Sequence, residues 1–178
     1  MRDTLDRKQK KRTGERADKI VQRAFPGLTG SQVDEALEAG WIRLTSGESL
    51  QKGTRLDSPQ LDFSLLRARL ELLRLGNSSL ELPVLAENPD FWVVDKPAGL
   101  AGHPLRLAEN ETVTHWALAR DPGLVKEFPA IQPTLTPHRL DTGTSGLLLV
   151  ARTRESYQTW RYRFEARAVL KQIGRAHV

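Results

Sequence analysis

The sequence predicts an α+β protein: a small helix-and-strand module, then a domain on a mixed, mainly antiparallel sheet. Three observations carry that prediction. Apolar residues recur at helical spacing between residues 15 and 40, where glycine and proline close each run. From Pro83 onward the texture changes to short apolar runs bounded by Asn, Asp, Pro and Gly, as strands and turns require. The chain has 178 residues with 39% hydrophobic side chains, enough for one domain or two small ones. Its longest apolar run, Leu147 to Ala151, is far too short to span a membrane.

The elements follow in order. Residues 1–14 are polar and end in Thr13-Gly14, the pattern of a flexible basic tail. Ala17, Ile20, Val21 and Ala24 share a helical face, and Phe25-Pro26-Gly27 stops that helix. Ser31 is placed to N-cap a second helix, with Asp34 three residues on as in a capping box. Val33, Ala36 and Leu37 form its apolar side, and Gly40 provides a left-handed stop. Trp41 to Leu44 reads as a short strand, Ser46-Gly47 and Lys52-Gly53 as turns, and Leu61 to Phe63 as an extended piece. This module spans residues 15–65, and a Leu- and Arg-rich connector, helical until Gly76-Asn77, covers 66–83.

The second domain is expected over 84–172. Val84-Leu85 and Phe91 to Val94 flank Glu87-Asn-Pro-Asp90 as a hairpin, and Asp95-Lys-Pro-Ala-Gly99 breaks the second strand. Thr112 can cap a short helix through Leu118, and Pro133 and Pro137 keep the next segment extended. Leu147 to Ala151 reads as a buried strand. Thr153 then opens a helix with Tyr157, Trp160 and Phe164 on one face, and Val169 to Gln172 enters a further strand. The last six residues, Ile173 to Val178, are what ATC GGA AGA GCA CAC GTC encodes, a common sequencing-library adapter. They are expected to be read-through, which makes the chain an N-terminal fragment.

Charge is unevenly placed. Residues 1–23 carry nine Lys/Arg against four acids, so the whole formal charge of +5 sits there and the remainder is balanced. A basic arm beside a neutral body suits a polyanion, nucleic acid before membrane; the alternative is a solvated terminus. Cysteine is absent, which excludes disulfides, thiolate nucleophiles and Cys-ligated zinc. No apolar segment follows the charged N-terminus as a signal peptide would, and a cytoplasmic location is expected.

The most specific stretch runs from Pro137 to Arg152. Arg139 and Asp141 are two apart, so an extended backbone projects both to one side. The hydroxyl- and glycine-rich turn Thr142 to Gly146 follows, anchored by an apolar strand. A carboxylate and a guanidinium on a firmly held loop form a plausible active-site layout; a structural Arg–Asp pair at a strand entrance is the other reading. The run His138-Arg-Leu-Asp141 with Thr144-Ser-Gly146 resembles the defining motif of the RluA-type pseudouridine synthases. Two further blocks agree in order and spacing: Phe91 to Gly99 with His103-Pro104, and Phe164 to Lys171. The stretch from Arg16 to Phe63 is similar to an S4-like RNA-binding domain.

The resemblance implies an isomerase that converts uridine to pseudouridine in structured RNA, with ribosomal RNA favoured, transfer RNA as the alternative, and no cofactor or metal. Asp141 would be the catalytic carboxylate, and Arg139 would fill the stack left by the flipped base. Arg16, Lys19, Arg23 and Lys96 would contact RNA, with His138, His103, Thr144 and Ser145 in support. For Lys96 at a turn and His103 before Pro104 a structural role is the commoner reading. The family's catalytic Tyr and the basic partner of its Asp fall beyond the matched residues. Tyr157 and Tyr162, on the preceding helix, do not replace them. A monomer without membrane contact is expected. The competing readings are a non-catalytic S4-type RNA-binding protein and a ribosome-assembly or translation factor; the latter leaves the Asp141 block unexplained.

Overall fold

A computed structural model describes residues 14–57, 61–172 and 174. The expected tail over 1–14, Gly14 apart, and the closing stretch 173–178, Gly174 apart, lie outside them. The chain divides into two compact units between Leu70 and Glu71.

In the first unit β1 (Glu15–Arg16) leads directly into α1 (Ala17–Ala24). No side chain caps α1; the Ala17 N–H donates to the Thr54 carbonyl at 2.9 Å, and Asp18 brings negative charge to the first turn. Ala17, Ile20 and Val21 are buried as the period requires. Ala24 is exposed, and Phe25 enters the core in its place, edge-on to Phe63 with ring centroids 5.2 Å apart. Helix α2 (Gly30–Glu38) has its N-cap at Thr29, two residues before the expected cap. Thr29 accepts from the Gln32 N–H, and the Gln32 side chain accepts from the Thr29 N–H at 2.9 Å, a complete capping box. Ser31 therefore lies inside the first turn, and Asp34 instead pairs with Lys52.

The end of α2 follows the expectation. Gly40 has φ +67°, its N–H donates to Leu37, and the Trp41 N–H reaches the Ala36 carbonyl, the paired bonds of a Schellman stop. Trp41 is spent on that stop, so β2 is only Arg43–Leu44 rather than Trp41 to Leu44. β3 (Arg55–Leu56) pairs antiparallel with β1, and β4 (Leu61–Asp62) with β2. β1 and β3 have no sequence signature, since two residues are too few to show alternation. Helix α3 (Ser64–Leu72) closes this core with Leu66 and carries the chain across the boundary.

The second unit is a three-stranded antiparallel sheet, ordered β5 (Val84–Glu87), β6 (Phe91–Lys96), β7 (Gly146–Ala151). The hairpin forms as expected: the Asn88 side chain accepts from the Asp90 and Phe91 N–H groups at 2.8 and 2.9 Å. β6 does not break at Asp95 but runs on to Lys96, with six residues in register from Phe91↔Ala151 to Lys96↔Gly146. Pro97, lacking an N–H, follows its last residue.

Strand alternation assigns the two faces. Trp92, Val94, Leu148 and Val150 point to one side, where α4 (Val113–Arg120) packs with Trp116 edge-on to Trp92 at 5.4 Å. Thr112 caps α4, which is buried from Val113 through Leu118; a helix enclosed all round shows little amphipathic pattern. A Cβ at Gly76 would overlap the Ala119 backbone, so glycine there lets the connector lie against α4. A one-turn helix, α5 (Leu124–Glu127), follows; nothing in the sequence marked it. On the other face α6 (Arg154–Glu165), capped by Thr153, sets Trp160 against Phe91 at 5.4 Å.

Two further expectations need correction. Leu147 is 61% exposed, because β7 is an edge strand whose first residues stand clear of α6. Val169 to Gln172 forms no strand and pairs with none of the described strands; Leu170 is 87% exposed.

The capping box supplies a test of the corrected helix start. Thr29→Ala should cost about 1 kcal/mol, whereas Ser31→Ala should stay within about 0.5 kcal/mol. Hydrogen exchange of the α2 amides measures both.

Candidate active site

The Asp141 loop is built by two sequence blocks that meet only in the folded chain. Lys96 occupies a core-facing position at the end of β6 and is wholly buried. Its ammonium donates to the carbonyls of Pro97 (3.0 Å), Leu100 (2.8 Å) and Thr142 (3.3 Å). Three donors thus meet three acceptors. The Gly99 N–H donates to the same Thr142 carbonyl at 2.7 Å, and Gly99 has φ +90°, a turn conformation that favours glycine. The Lys-Pro-Ala-Gly turn is therefore the bracket on which the Asp141–Thr142 backbone rests. Burial pushes the Lys96 pKa down, and the charge of Asp141 opposes that shift. This corrects the expected RNA contact: with every donor engaged inside the protein, Lys96 has none left for a phosphate.

From that bracket the loop turns sharply. The Thr144 N–H donates to the Asp141 carbonyl at 2.9 Å. Asp141 and Arg139 reach outward with side chains 81% and 80% exposed, their closest charged atoms 3.7 Å apart. A pair so exposed is worth about 0–1 kcal/mol, so either group is free to exchange its partner for substrate. Both line a small cleft with His103, Leu140, Thr142 and Leu148. Its volume of about 40 Å³ has room for two or three waters. Thr144 and Ser145 are exposed on the turn, beside the cleft rather than among its lining residues.

His138 faces away from that chemistry. Its Nε2 accepts the Leu149 N–H at 3.0 Å, on the edge of β7 opposite β6, and its ring lies on Phe164 with centroids 4.3 Å apart. The Leu135 carbonyl accepts the Ala151 N–H on the same edge at 2.8 Å. Residues 135–138 thus cover β7 as a paired strand would. Burial, with the positive Lys171 nearby, pushes the His138 pKa down to about 4. A neutral ring that accepts through Nε2 holds the Leu149 backbone.

The basic residues of the first unit are placed differently. Arg16 is held bidentately by Asp18 at 2.9 and 3.0 Å, Arg23 by Glu15 at 2.8 Å through both nitrogens, and Lys19 bonds the Gln22 side chain. These are surface contacts that a phosphate could replace. Tyr157 packs edge-on to Phe128 at 6.1 Å, and Tyr162 is 72% exposed. The sequence reading missed the anchoring of Thr142 by Lys96; the clue available was a lysine at a core-phase position of an apolar strand. Among the described residues no cluster of His, Asp or Glu could hold a metal, and no helix is long and apolar enough to cross a membrane.

The His138 geometry has a pH consequence. With a folded pKa of about 4 against 6.5, the unfolded chain binds more protons between those values. This group's contribution is fully present above pH 6.5 and is lost as pH falls towards 4. Urea unfolding of the second unit should show a loss of about 1–2 kcal/mol between pH 7 and pH 5, largely abolished in His138→Gln.

Residues 90–173 match the family model for RNA pseudouridylate synthase. Ribosomal large subunit pseudouridine synthase D of Xanthomonas campestris pv. campestris is 29% identical over 160 residues, covering 89% of this chain and 46% of the relative. The protein of the same name from Pseudomonas aeruginosa is 29% identical over 161 residues, covering 88% and 47%. The chain spans about half the length of these curated relatives. The solved structure of human RNA Pseudouridylate Synthase Domain Containing 1 shares 25% identity, covering 51% of this chain and 30% of its own, at a TM-score of 0.38. The fold rests on the strands and registers above rather than on that likeness. The His138-Arg-Leu-Asp141 motif lies inside the stretch that matches the RNA pseudouridylate synthase model.

Proposed function

We propose that this chain serves RNA pseudouridine synthesis, turning uridine into pseudouridine in structured RNA, with ribosomal RNA the favoured substrate. One observation carries the reading: a carboxylate and a guanidinium stand together at a cleft, on a loop braced from beneath by Lys96 and Gly99. The names of the relatives support the choice of ribosomal RNA.

The reaction breaks the N1–C1′ bond, turns the uracil and joins C5 to C1′. C5 gives up a proton and N1 gains one, so composition is unchanged and no cofactor is consumed. What the protein supplies is an anion beside the ribose, as nucleophile at C1′ or base at C2′, the role carboxylates play in glycosidic cleavage. Asp141 is that group. A base stacked in a helix is out of its reach, so the nucleotide must be extruded at a cost of a few kcal/mol. Arg139 suits the vacated place: its guanidinium is flat, stacks on bases, and is released from Asp141 at little cost. The cleft of about 40 Å³ must widen as the base enters. The first unit, read as an S4-like module, adds affinity through Arg16, Lys19 and Arg23.

Two outcomes test this reading. Joined to the part of a curated relative that lies beyond the match, the chain should form pseudouridine in ribosomal RNA. Asp141→Asn should abolish product while leaving RNA affinity within about twofold, since only the anion is removed. Product from the Asn variant would overturn Asp141 as the catalytic group. Separately, replacing Arg16, Lys19 and Arg23 with Gln should weaken RNA binding and flatten its salt dependence by about 0.7 per lost phosphate contact on single strands. An unchanged slope would remove the first unit from the interface.

A further inference from the structure

Helix α6 ends on an arginine where a glycine would be expected. Arg167 has φ +54°, the one non-glycine residue with positive φ among those described. Its N–H donates to Phe164 and that of Ala168 to Arg163, the Schellman pattern whose left-handed position glycine fills without strain. A guanidinium at that position is therefore held against local preference.

Two other cations stand near it. Arg163 lies one turn back, its guanidinium over the Trp160 ring at 5.1 Å. Lys171 returns over the Phe164 ring, also at 5.1 Å, and the same ring stacks on His138, the neighbour of Arg139. Among the described residues none of Arg163, Arg167 and Lys171 has a carboxylate within 4.0 Å, whereas Arg161 on the same helix is held by Glu165 at 2.9 Å. Aromatic platforms fix the direction of two of these cations while leaving their N–H edges open to an anion. Through Phe164 and His138 the group is connected to the segment that carries Asp141.

We propose that Arg163, Arg167 and Lys171 form a phosphate-binding rim that holds the RNA backbone, joined through Phe164 and His138 to the segment that carries Arg139 and Asp141. The rim rests on the RNA reading above and adds to it a place for the strand flanking the target nucleotide. These contacts go to phosphates, so they position the RNA without reading its sequence.

The 178-residue chain itself tests this, with a uridine-loop RNA hairpin of about 20 nucleotides as probe and affinity measured across a salt series. Arg167→Gly should weaken binding several-fold and lower the salt slope by about 0.7–0.9, yet leave the melting temperature equal or raised, because glycine relieves the left-handed strain. Lys171→Gln should give a similar loss, and Arg167→Lys should restore most of the slope. Arg154→Gln, at the opposite end of α6, is the control for bulk charge and should bind like wild type. Wild-type affinity and slope in both rim variants would overturn the rim while leaving the RNA reading intact. An equal loss in Arg154→Gln would also overturn it, by showing only general charge attraction. Failure of the unaltered chain to bind the hairpin would overturn the RNA reading and the rim together.

Discussion

A buried ammonium organises the end of the second unit that carries Asp141. Removing such a charge from water costs several kcal/mol unless its donors are satisfied. At Lys96 they are satisfied by the backbone, through the carbonyls of Pro97, Leu100 and Thr142. Two of those acceptors belong to the turn after β6, and the third lies on the loop before β7. Any rearrangement that separates the two loops would strand a charge in the core, so they are bound to move together. The loop that carries Asp141 thereby inherits the rigidity of a strand end, while its carboxylate stays in solvent. Because the anchor is on Thr142, Asp141 and Arg139 keep their own charges for substrate.

A second support comes from the far side of the sheet. An edge strand offers unpaired N–H groups, and β7 presents those of Leu149 and Ala151. The side chain of His138 takes one and the carbonyl of Leu135 the other, so the segment that leads to Arg139 runs along β7 without being a strand itself. Phe164 then covers the imidazole. The Asp141 segment is held from below by Lys96 and from the side by His138, and both groups act through hydrogen bonds to backbone rather than to each other. Precise placement of the carboxylate is what the proposed reaction at a single ribose carbon requires.

The first unit achieves its order by local means. A capping box at Thr29, a Schellman stop at Gly40 and a turn at Gly53 set its corners, and the strand pairs between them are two residues long. Its apolar residues close on themselves, with Val33, Ile42 and Leu66 fully buried. Its cations remain at the surface in exchangeable pairs.

Much of this was legible in the sequence, for reasons that can be named. Helix α1, the stop at Gly40, the hairpin at Asn88 and the caps at Thr112 and Thr153 are decided by neighbours a few residues away, so local pattern reveals them. The pairing of Arg139 with Asp141 follows from their spacing of two, and the motif around them supplied the chemistry. Other features depend on residues distant in the chain. Whether Thr29 or Ser31 begins α2 was settled by the reach of Gln32 and the diversion of Asp34 to Lys52. The exposure of Leu147 depends on where α6 lies, and β1 with β3 exists only because residues 40 apart come together. Lys96 shows the division most clearly. Its sequence neighbours allow a surface cation at a turn, yet strand phase carries it into the core, and only the approach of Thr142, 46 residues on, provides the acceptor that makes that burial tolerable. The sequence by itself determined which residues could perform the chemistry; tertiary structure decided which of them face the solvent and which hold the others in place, because burial and long-range hydrogen bonding exist only once the chain has folded.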